Sequence, residues 1–501
     1  MTMTASSRAT PLIEERLYIG GIFRPASDGR VYDNISPVTE EVIGVAADAS
    51  GADMKDAIVA ARSAFDEGGW ASDPALRARC LRQLHAALER HAESIRETVR
   101  AEVGTTDASL ATVQYDTAIK HLLYAADLVE NYRWETDLGH TDFLGVPSTR
   151  TLTREAVGVA ACITPWNAPM QVNLAKLSAA LGAGCTTILK PAPDTPWSAT
   201  ALGTMIADET DIPSGVVNIV STSDNAVAQL LAEDPNVDIV SFTGSTAVGR
   251  RLMACAAPTV KRVFLELGGK SACIVCDDAD LDQVVQIAAY GSCAQAGQGC
   301  SINTRLLVQR SVYEETVAKV AAAFEAIPFG DPIDPGVYMG PLINRRQYDR
   351  VLSYIELGRA EGARLVTGGG RPHGFDKGFF VEPTVFADVD PASRLAQEEI
   401  FGPVLCVIPF DDDEQAIDIA NGTIYGLAAQ VESGSLQRAD AIARRLRAGQ
   451  VNVNGGLYHA PDSPFGGYKQ SGIGREMGVL GFDEYTEVKV IAYGAPGSIG
   501  H

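Results

Sequence analysis

No run of about 18 consecutive apolar residues, the length needed to span a bilayer, occurs in the 501-residue chain, so no transmembrane helix is expected. Positive charge is in deficit. With a formal net charge of −22 spread along the sequence, a polyanionic partner would be repelled, and nucleic-acid binding is set aside. Residues Met1 to Arg8 are polar and carry no apolar stretch, so no secretory signal is expected and the chain reads as cytoplasmic. Nine cysteines, an odd number in a long chain without such a signal, fit free thiols in a reducing compartment. Cys273 and Cys276 have CxxC spacing, but they lie in an apolar strand-like run with no second such pair, which favours a buried strand over zinc. The seven histidines are scattered without ligand spacing, so no metal site is expected. The GxGxxG fingerprint of dinucleotide-binding folds is also missing.

What is present is a long, ordinary globular composition, 46% hydrophobic, too large for one core, so two or three domains are expected. Leu17–Val45 reads as short strands broken by turn residues, and Ala52–Gly104 carries helical patterning, with apolar residues at helical spacing across Ala75–Val103. After Arg154, strands over Val157–Ile163, Cys185–Leu189, Val216–Ile219 and Ile239–Phe242 alternate with helices over Gln171–Gly184, Ala199–Asp208 and Asn225–Ala232. A second alternating unit runs from Ser271 to Asn454. It has strands near Cys273–Val275, Thr304–Val308 and Val404–Phe410, and helices over Val312–Phe324, Arg345–Glu361 and Asp413–Asn421. Such alternation predicts an α/β fold of parallel sheets with helices on their faces. The β-rich tail Tyr485–Tyr493 and the candidate strand Thr149–Arg154 fall outside it, and a lone terminal strand needs an existing sheet edge.

Two segments carry chemistry. Cys300, in Gln298-Gly299-Cys300-Ser301, is flanked by small residues and open to an incoming carbonyl carbon. Glu266, in Leu265-Glu266-Leu267-Gly268-Gly269, is a carboxylate on a separate glycine turn and can activate water or a thiol. No histidine lies in the cysteine motif, so a Cys–His dyad is unsupported, and the thiolate needs help from backbone N–H groups or a nearby cation. Two further segments suit a nucleotide. Phe242-Thr243-Gly244-Ser245-Thr246 follows an apolar strand and opens a helix, where backbone N–H groups and the Ser245 hydroxyl can meet a pyrophosphate. Lys190 stands at the carboxyl end of a strand, the usual ligand edge of a parallel sheet.

Together with Thr164-Pro165-Trp166-Asn167, Glu399-Ile400-Phe401-Gly402-Pro403 and Pro464-Phe465-Gly466-Gly467, these motifs resemble the aldehyde dehydrogenase superfamily, in its order and from about Leu17 to about Val490. The resemblance implies a fold of two parallel-sheet α/β domains plus a small β oligomerisation sheet. It divides the chain into a Rossmann-like cofactor-binding domain (1–133 and 155–265), a catalytic domain (266–470) and an oligomerisation arm (134–154 and 480–497). It implies Cys300 as nucleophile, Glu266 as base, Asn167 as oxyanion donor, and Lys176 and Glu476 on the proton path of the glutamate. NAD contacts are implied at Ile163, Thr164, Pro165 and Trp166, at Lys190, Ala192 and Pro193, at Gly244, Ser245 and Val248, and at Glu266, Leu267, Gly268, Glu399 and Phe401. NAD-preferring members often carry glutamate where Pro193 stands, so NADP is an alternative cofactor. A homo-oligomer, tetramer or dimer, is expected, with a small-molecule aldehyde as substrate and neither membrane nor nucleic acid as partner.

The resemblance also frames the substrate. Ala168, Ala175 and Ala294 stand where many members carry larger, often aromatic, tunnel residues, which suggests a wide apolar tunnel and a bulky hydrophobic aldehyde, unless Tyr458 and His459 refill the space. The rival readings are a CoA-acylating semialdehyde dehydrogenase, a cofactor-free thioesterase and a non-catalytic structural homologue. The carboxylate at Glu266 argues against the first, Lys190 and the Ser245 turn against the second, and the presence of both Cys300 and Glu266 against the third.

Overall fold

The computed structural model describes residues 8–494. The expectations for Met1–Ser7 and for 495–497 of the arm lie outside the described residues. The first alternating unit builds an eight-stranded sheet. Its parallel centre runs, in spatial order, Arg262–Glu266, Ile239–Thr243, Val159–Ile163, Thr186–Lys190 and Val217–Ile219. Antiparallel strands Gly472–Ile473 at one edge, and Leu17–Ile19 followed by Ile22–Arg24 at the other, complete it. Strand Val159–Ile163 is apolar throughout because both of its faces are covered: Val159, Ala161 and Ile163 enter one core, Ala160 and Cys162 the other.

The second unit forms a seven-stranded sheet in the order Arg364–Thr367, Thr384–Ala387, Val404–Phe410, Arg305–Gln309, Ala272–Val275, Ala428–Glu432 and Gln450–Val453. All neighbours are parallel except the first pair. Its own core contains Cys273 and Cys276, so the CxxC pair is buried apolar filling, and no metal-holding group exists among the described residues. The tail strand Thr486–Gly494 pairs antiparallel with Val146–Ala156 along its whole length, and Glu135–Phe143 adds a third strand. No helix among the described residues is long and apolar enough to cross a membrane.

Several elements went unread in the sequence, among them strands Arg262–Glu266, Ala428–Glu432 and Gln450–Val453, and two further features depart from its reading. The helical pattern over Ala75–Val103 is two helices, Pro74–Arg90 and Ala92–Val103. The break falls at His91, whose backbone leaves helical angles while its imidazole bonds Glu209 at 2.6 Å. Strand Glu135–Phe143 falls in the segment 134–154 that the resemblance assigns to the β arm, but its own residue pattern does not read as a strand. Its residues are mostly polar and exposed, and pairing with Val146–Ala156 rather than intrinsic preference makes it a strand.

Topology places the two motif sets together. Chain order in the first sheet runs outward from Val159–Ile163 through Thr186–Lys190, then returns to its other side at Ile239–Thr243, so a switch-point crevice opens at the carboxyl ends. The ladders level Ile163 with Lys190 and with Phe242, and Thr243 with Glu266. From Glu266 the chain passes within six residues to Ala272, the first residue of its strand in the second sheet. The carboxyl edge of one sheet thus faces the amino edge of the other.

Candidate active site

Cys300 precedes strand Arg305–Gln309 and lies against the glycine turn that follows Glu266. A Cβ on Gly269 would sit 2.3 Å from the Cys300 carbonyl oxygen, so only glycine permits this approach. Cys300 keeps a partly accessible surface, whereas most other cysteines are buried. Burial, then the charges of Glu266 and Glu399, push its thiol up to about 12, against the backbone N–H groups of Cys300 and Ser301. The expectation that backbone N–H groups favour the thiolate holds in direction, but they are outweighed, and the thiol is protonated at neutral pH.

Asn167 lies just before the helix Pro169–Ala183 and reaches the cysteine loop. Its Nδ2 donates to the Gln298 carbonyl at 2.9 Å, and its own carbonyl accepts from Gln114 Nε2 at 2.7 Å. Gln114 was not singled out by any motif; it sits at the end of a short π-helical turn, Leu110–Gln114.

Glu266 is 2% exposed, and neither carboxylate oxygen has a hydrogen-bond partner. Burial first, and the nearby Glu476 second, hold its carboxyl well above the ordinary glutamate range, opposed by Lys176 and Arg475. Space for it is made at Gly466, where a Cβ would lie 2.5 Å from Glu266 Oε1. Lys176 Nζ bonds Glu476 Oε1 at 3.0 Å and donates to Ser241 Oγ at 2.9 Å, and it lies 4.8 Å from the Phe264 ring centre. Tyr485, at the root of the tail strand, donates to the same Ser241 hydroxyl at 2.9 Å. Lys176 and Glu476 are therefore brought to Glu266, and Ser241 and Tyr485 extend the network beyond what the sequence indicated.

The nucleotide-facing residues gather along the crevice. Ser245 caps helix Thr246–Ala256, its Oγ accepting from Val248 N at 3.4 Å, and both Ser245 and Val248 are exposed. Gly244 N bonds the Glu266 carbonyl at 3.0 Å, and Thr164 N bonds the Lys190 carbonyl at 3.1 Å. Thr164 and Thr243 each hold a buried hydroxyl with no partner at this edge. Lys190 is 7% exposed, and burial, opposed by Asp194, lowers its ammonium to about 8. Ala192 is buried and Pro193 half-buried in the turn beyond it. Glu399 Oε1 accepts from Gly269 N at 2.9 Å, and burial raises its carboxyl to about 7. Trp166 and Phe401 meet edge to face at 5.3 Å. Leu267 N is anchored on the Ser471 carbonyl at 2.8 Å, and Ser471 Oγ donates to the Gly268 carbonyl at 2.7 Å. Unpartnered hydroxyls, an exposed helix N-terminus and a buried lysine at a switch point together fit a dinucleotide.

On the other side of Cys300, Tyr458 is close enough to Cys300, Glu266 and Ser301 to feel their charges and hydroxyl, and burial pushes its phenol up to about 12. It stacks on Phe465 at 6.1 Å. Gln171 and the buried His121 bond each other at 2.6 Å, and burial, then His459, lower the His121 imidazole to about 4, so the ring is neutral. Ala175 is buried, and Ala168 and Ala294 are half-buried.

The model described as the Aldehyde dehydrogenase family matches residues 23–491. The chain is 41% identical over 477 residues to a 3-succinoylsemialdehyde-pyridine dehydrogenase of a Pseudomonas species, covering 95% of this chain and 97% of that one. Among solved structures it resembles a mutant of aldehyde dehydrogenase C of Pseudomonas syringae complexed with NAD+ and octanal, at 39% identity and a TM-score of 0.91, covering 96% and 98% of the two chains. It also resembles a mutant indole-3-acetaldehyde dehydrogenase of P. syringae in complex with NAD+ and IAA, at 38% identity, a TM-score of 0.92 and 97% coverage of each chain.

Proposed function

The chain belongs to the aldehyde dehydrogenase family, and from that membership we propose that it oxidises a bulky, hydrophobic aldehyde to its carboxylic acid with NAD+, using Cys300 as nucleophile and Glu266 as base for hydrolysis. The observation that carries this reading is the Glu266 carboxylate, buried beside Cys300 with both oxygens unspent and its acidity weakened. A buried carboxylate whose pKa is raised is a stronger base than a free one and is suited to take a proton from water.

NAD+ supplies a hydride acceptor and a positively charged ring. The residues do the rest. The Cys300 thiol gives its proton to solvent water as the sulfur bonds the aldehyde carbon, and Asn167 Nδ2 with the Cys300 backbone N–H stabilise the oxygen that gains charge. One such donor is worth roughly 3–4 kcal/mol in acyl transfer. Loss of hydride from that carbon leaves a thioester on Cys300. Glu266 takes a proton from water, the hydroxyl adds to the thioester, and the C–S bond breaks to release acid and thiol. Lys176 and Glu476 hold the charge around Glu266 in place. Lys190 and Glu399 would bind the two riboses, Ser245 and Val248 at their helix N-terminus the pyrophosphate, and Trp166 with Phe401 the nicotinamide. Pro193 supplies no carboxylate against a 2′-phosphate, so NADP is the second cofactor to test.

A terpenoid, aromatic or long-chain aldehyde is favoured by Ala168, Ala175 and Ala294. The octanal and IAA complexes of the two P. syringae relatives are consistent with that class. Tyr458, packed on Phe465 beside Cys300, sets the width at the reacting end. The three larger sheets support a division into a cofactor-binding unit (1–133, 155–265), a catalytic unit (266–470) and an arm (134–154, 480–497). Exposed Phe143, Val488 and Val490 on the three-stranded sheet, with Leu144 in its hairpin turn, support an oligomeric arm, in a dimer or tetramer.

The test is reduced-nicotinamide formation from an aldehyde panel with NAD+ and NADP+, with and without CoA, for the wild type and Cys300→Ala. CoA-independent turnover that favours bulky aldehydes and vanishes in Cys300→Ala is expected. Preference for acetaldehyde would remove the substrate class; a requirement for CoA would replace hydrolysis by thiolysis.

A further inference from the structure

Gln114 touches both halves of the site. Its side chain is fully buried at the end of the π-helical turn Leu110–Gln114, in which Thr112 adopts φ −123°, ψ −111°. The chain is therefore kinked there, and the kink aims Gln114 inward. Gln114 Nε2 donates to the Asn167 carbonyl at 2.7 Å and to Gln295 Oε1. Asn167 Nδ2 in turn donates to the Gln298 carbonyl at 2.9 Å, and Gln298 Nε2 to the Gln295 carbonyl at 2.9 Å. The four amides close a ring, with Gln114 and Asn167 on the side of the first sheet and Gln295 and Gln298 on the loop that carries Cys300. That loop is not relaxed. Gln295 and Ala296 have φ of 50° and 55°, left-handed values that side chains adopt only when their surroundings hold them there.

We propose that Gln114 is a positioning residue: one of its amide hydrogens, on Gln295 Oε1, holds the Gln295–Gly297 turn in its left-handed form, and the other, on the Asn167 carbonyl, ties that turn and the Cys300 loop to the Asn167 segment. This rests on the oxyanion role of Asn167 proposed above. Without the donors, the turn relaxes, the Gln298 carbonyl moves, and Asn167 loses the partner that aims it. The steps that suffer are those in which charge develops on the substrate oxygen, namely addition to the aldehyde and hydrolysis of the thioester. Cofactor affinity, which rests on Lys190, Glu399 and the Ser245 turn rather than on the amide ring, is unaffected.

The experiment compares the full-length wild type with Gln114→Leu, Gln114→Glu, Gln295→Ala and Asn167→Ala. It reads kcat and KM for aldehyde oxidation and for cofactor-free hydrolysis of p-nitrophenyl acetate, together with NAD+ affinity and the thermal midpoint. Both Gln114 variants should lower kcat of both reactions roughly tenfold to a hundredfold, the scale set by a misplaced reacting group. KM and NAD+ affinity should stay at the wild-type values. Wild-type kcat in either folded Gln114 variant, or a parallel loss of NAD+ affinity, overturns the proposal. Should the Gln114 variants fail to fold, Gln295→Ala decides by the same criteria. Retained activity in Asn167→Ala would instead refute the oxyanion reading itself, whereas loss there with full activity in Gln114→Leu would refute the clamp alone.

Discussion

Replacing Glu266 by glutamine separates the two chemical halves of the reaction. The carboxylate is 2% exposed, accepts no hydrogen bond, and lies near a second carboxylate, Glu476. Glutamine has nearly the same shape and no charge, so the substitution removes an electrostatic penalty from the folded state without opening a cavity. The thermal midpoint is expected to hold or rise. The base itself is lost, and a positioned general base contributes about 10²–10⁴-fold, or about 3–5 kcal/mol of barrier. Only hydrolysis of the thioester needs that base. In a stopped-flow experiment with saturating aldehyde and NAD+, Glu266→Gln should therefore give a burst of reduced nicotinamide near one equivalent per site, followed by a steady state about 10²–10⁴-fold slower than wild type. Two results would refute the reasoning. Steady-state turnover at the wild-type rate would mean that Glu266 is not the base, and absence of a burst would mean that it acts before hydride leaves the substrate.

Lys176→Met should remove the cation that eases ionisation of Glu266, so the rise of kcat with pH, which follows loss of the Glu266 proton, should move to higher pH; it also strands Glu476, and thermal unfolding should show a loss of about 3–5 kcal/mol. Gly466→Ala places a Cβ 2.5 Å from Glu266 Oε1 and should slow hydrolysis while leaving NAD+ affinity unchanged, as titration calorimetry would show. Because the Cys300 thiol titrates near 12 without cofactor, its alkylation by iodoacetamide should be slow at pH 7 and rise with each unit of pH up to that value; a plateau by pH 8 would show a thiolate already formed.

Much of the site was legible because its chemistry is concentrated in short segments. Cys300 and Glu266 could be chosen from residue type and neighbours, Asn167 only through the family resemblance of its Thr164-Pro165-Trp166-Asn167 segment, and the apolar runs at 157–163 and 239–242 announced buried parallel strands. Their relation was not legible. That Ile163 stands level with Lys190, and Thr243 with Glu266, follows from strand order and register, which no local pattern encodes. Gln114 was hidden for another reason. It lies in a helical stretch whose π-turn breaks the usual spacing, and a single glutamine between apolar neighbours carries no mark of its role. Ser241 and Tyr485 likewise join Lys176 only because a central strand and the root of the tail strand cross the helix that bears it. The expected help to the Cys300 thiolate was right in kind, but the depth of the pocket and two carboxylates set its balance.

The most direct test of covalent catalysis at Cys300 is an intact-mass measurement of Glu266→Gln mixed with a bulky aldehyde and NAD+, followed by peptide mapping. The account requires an adduct on Cys300 with the mass of the aldehyde less two hydrogens, the thioester awaiting hydrolysis. Reduced nicotinamide formed with no such adduct on Cys300 would contradict it.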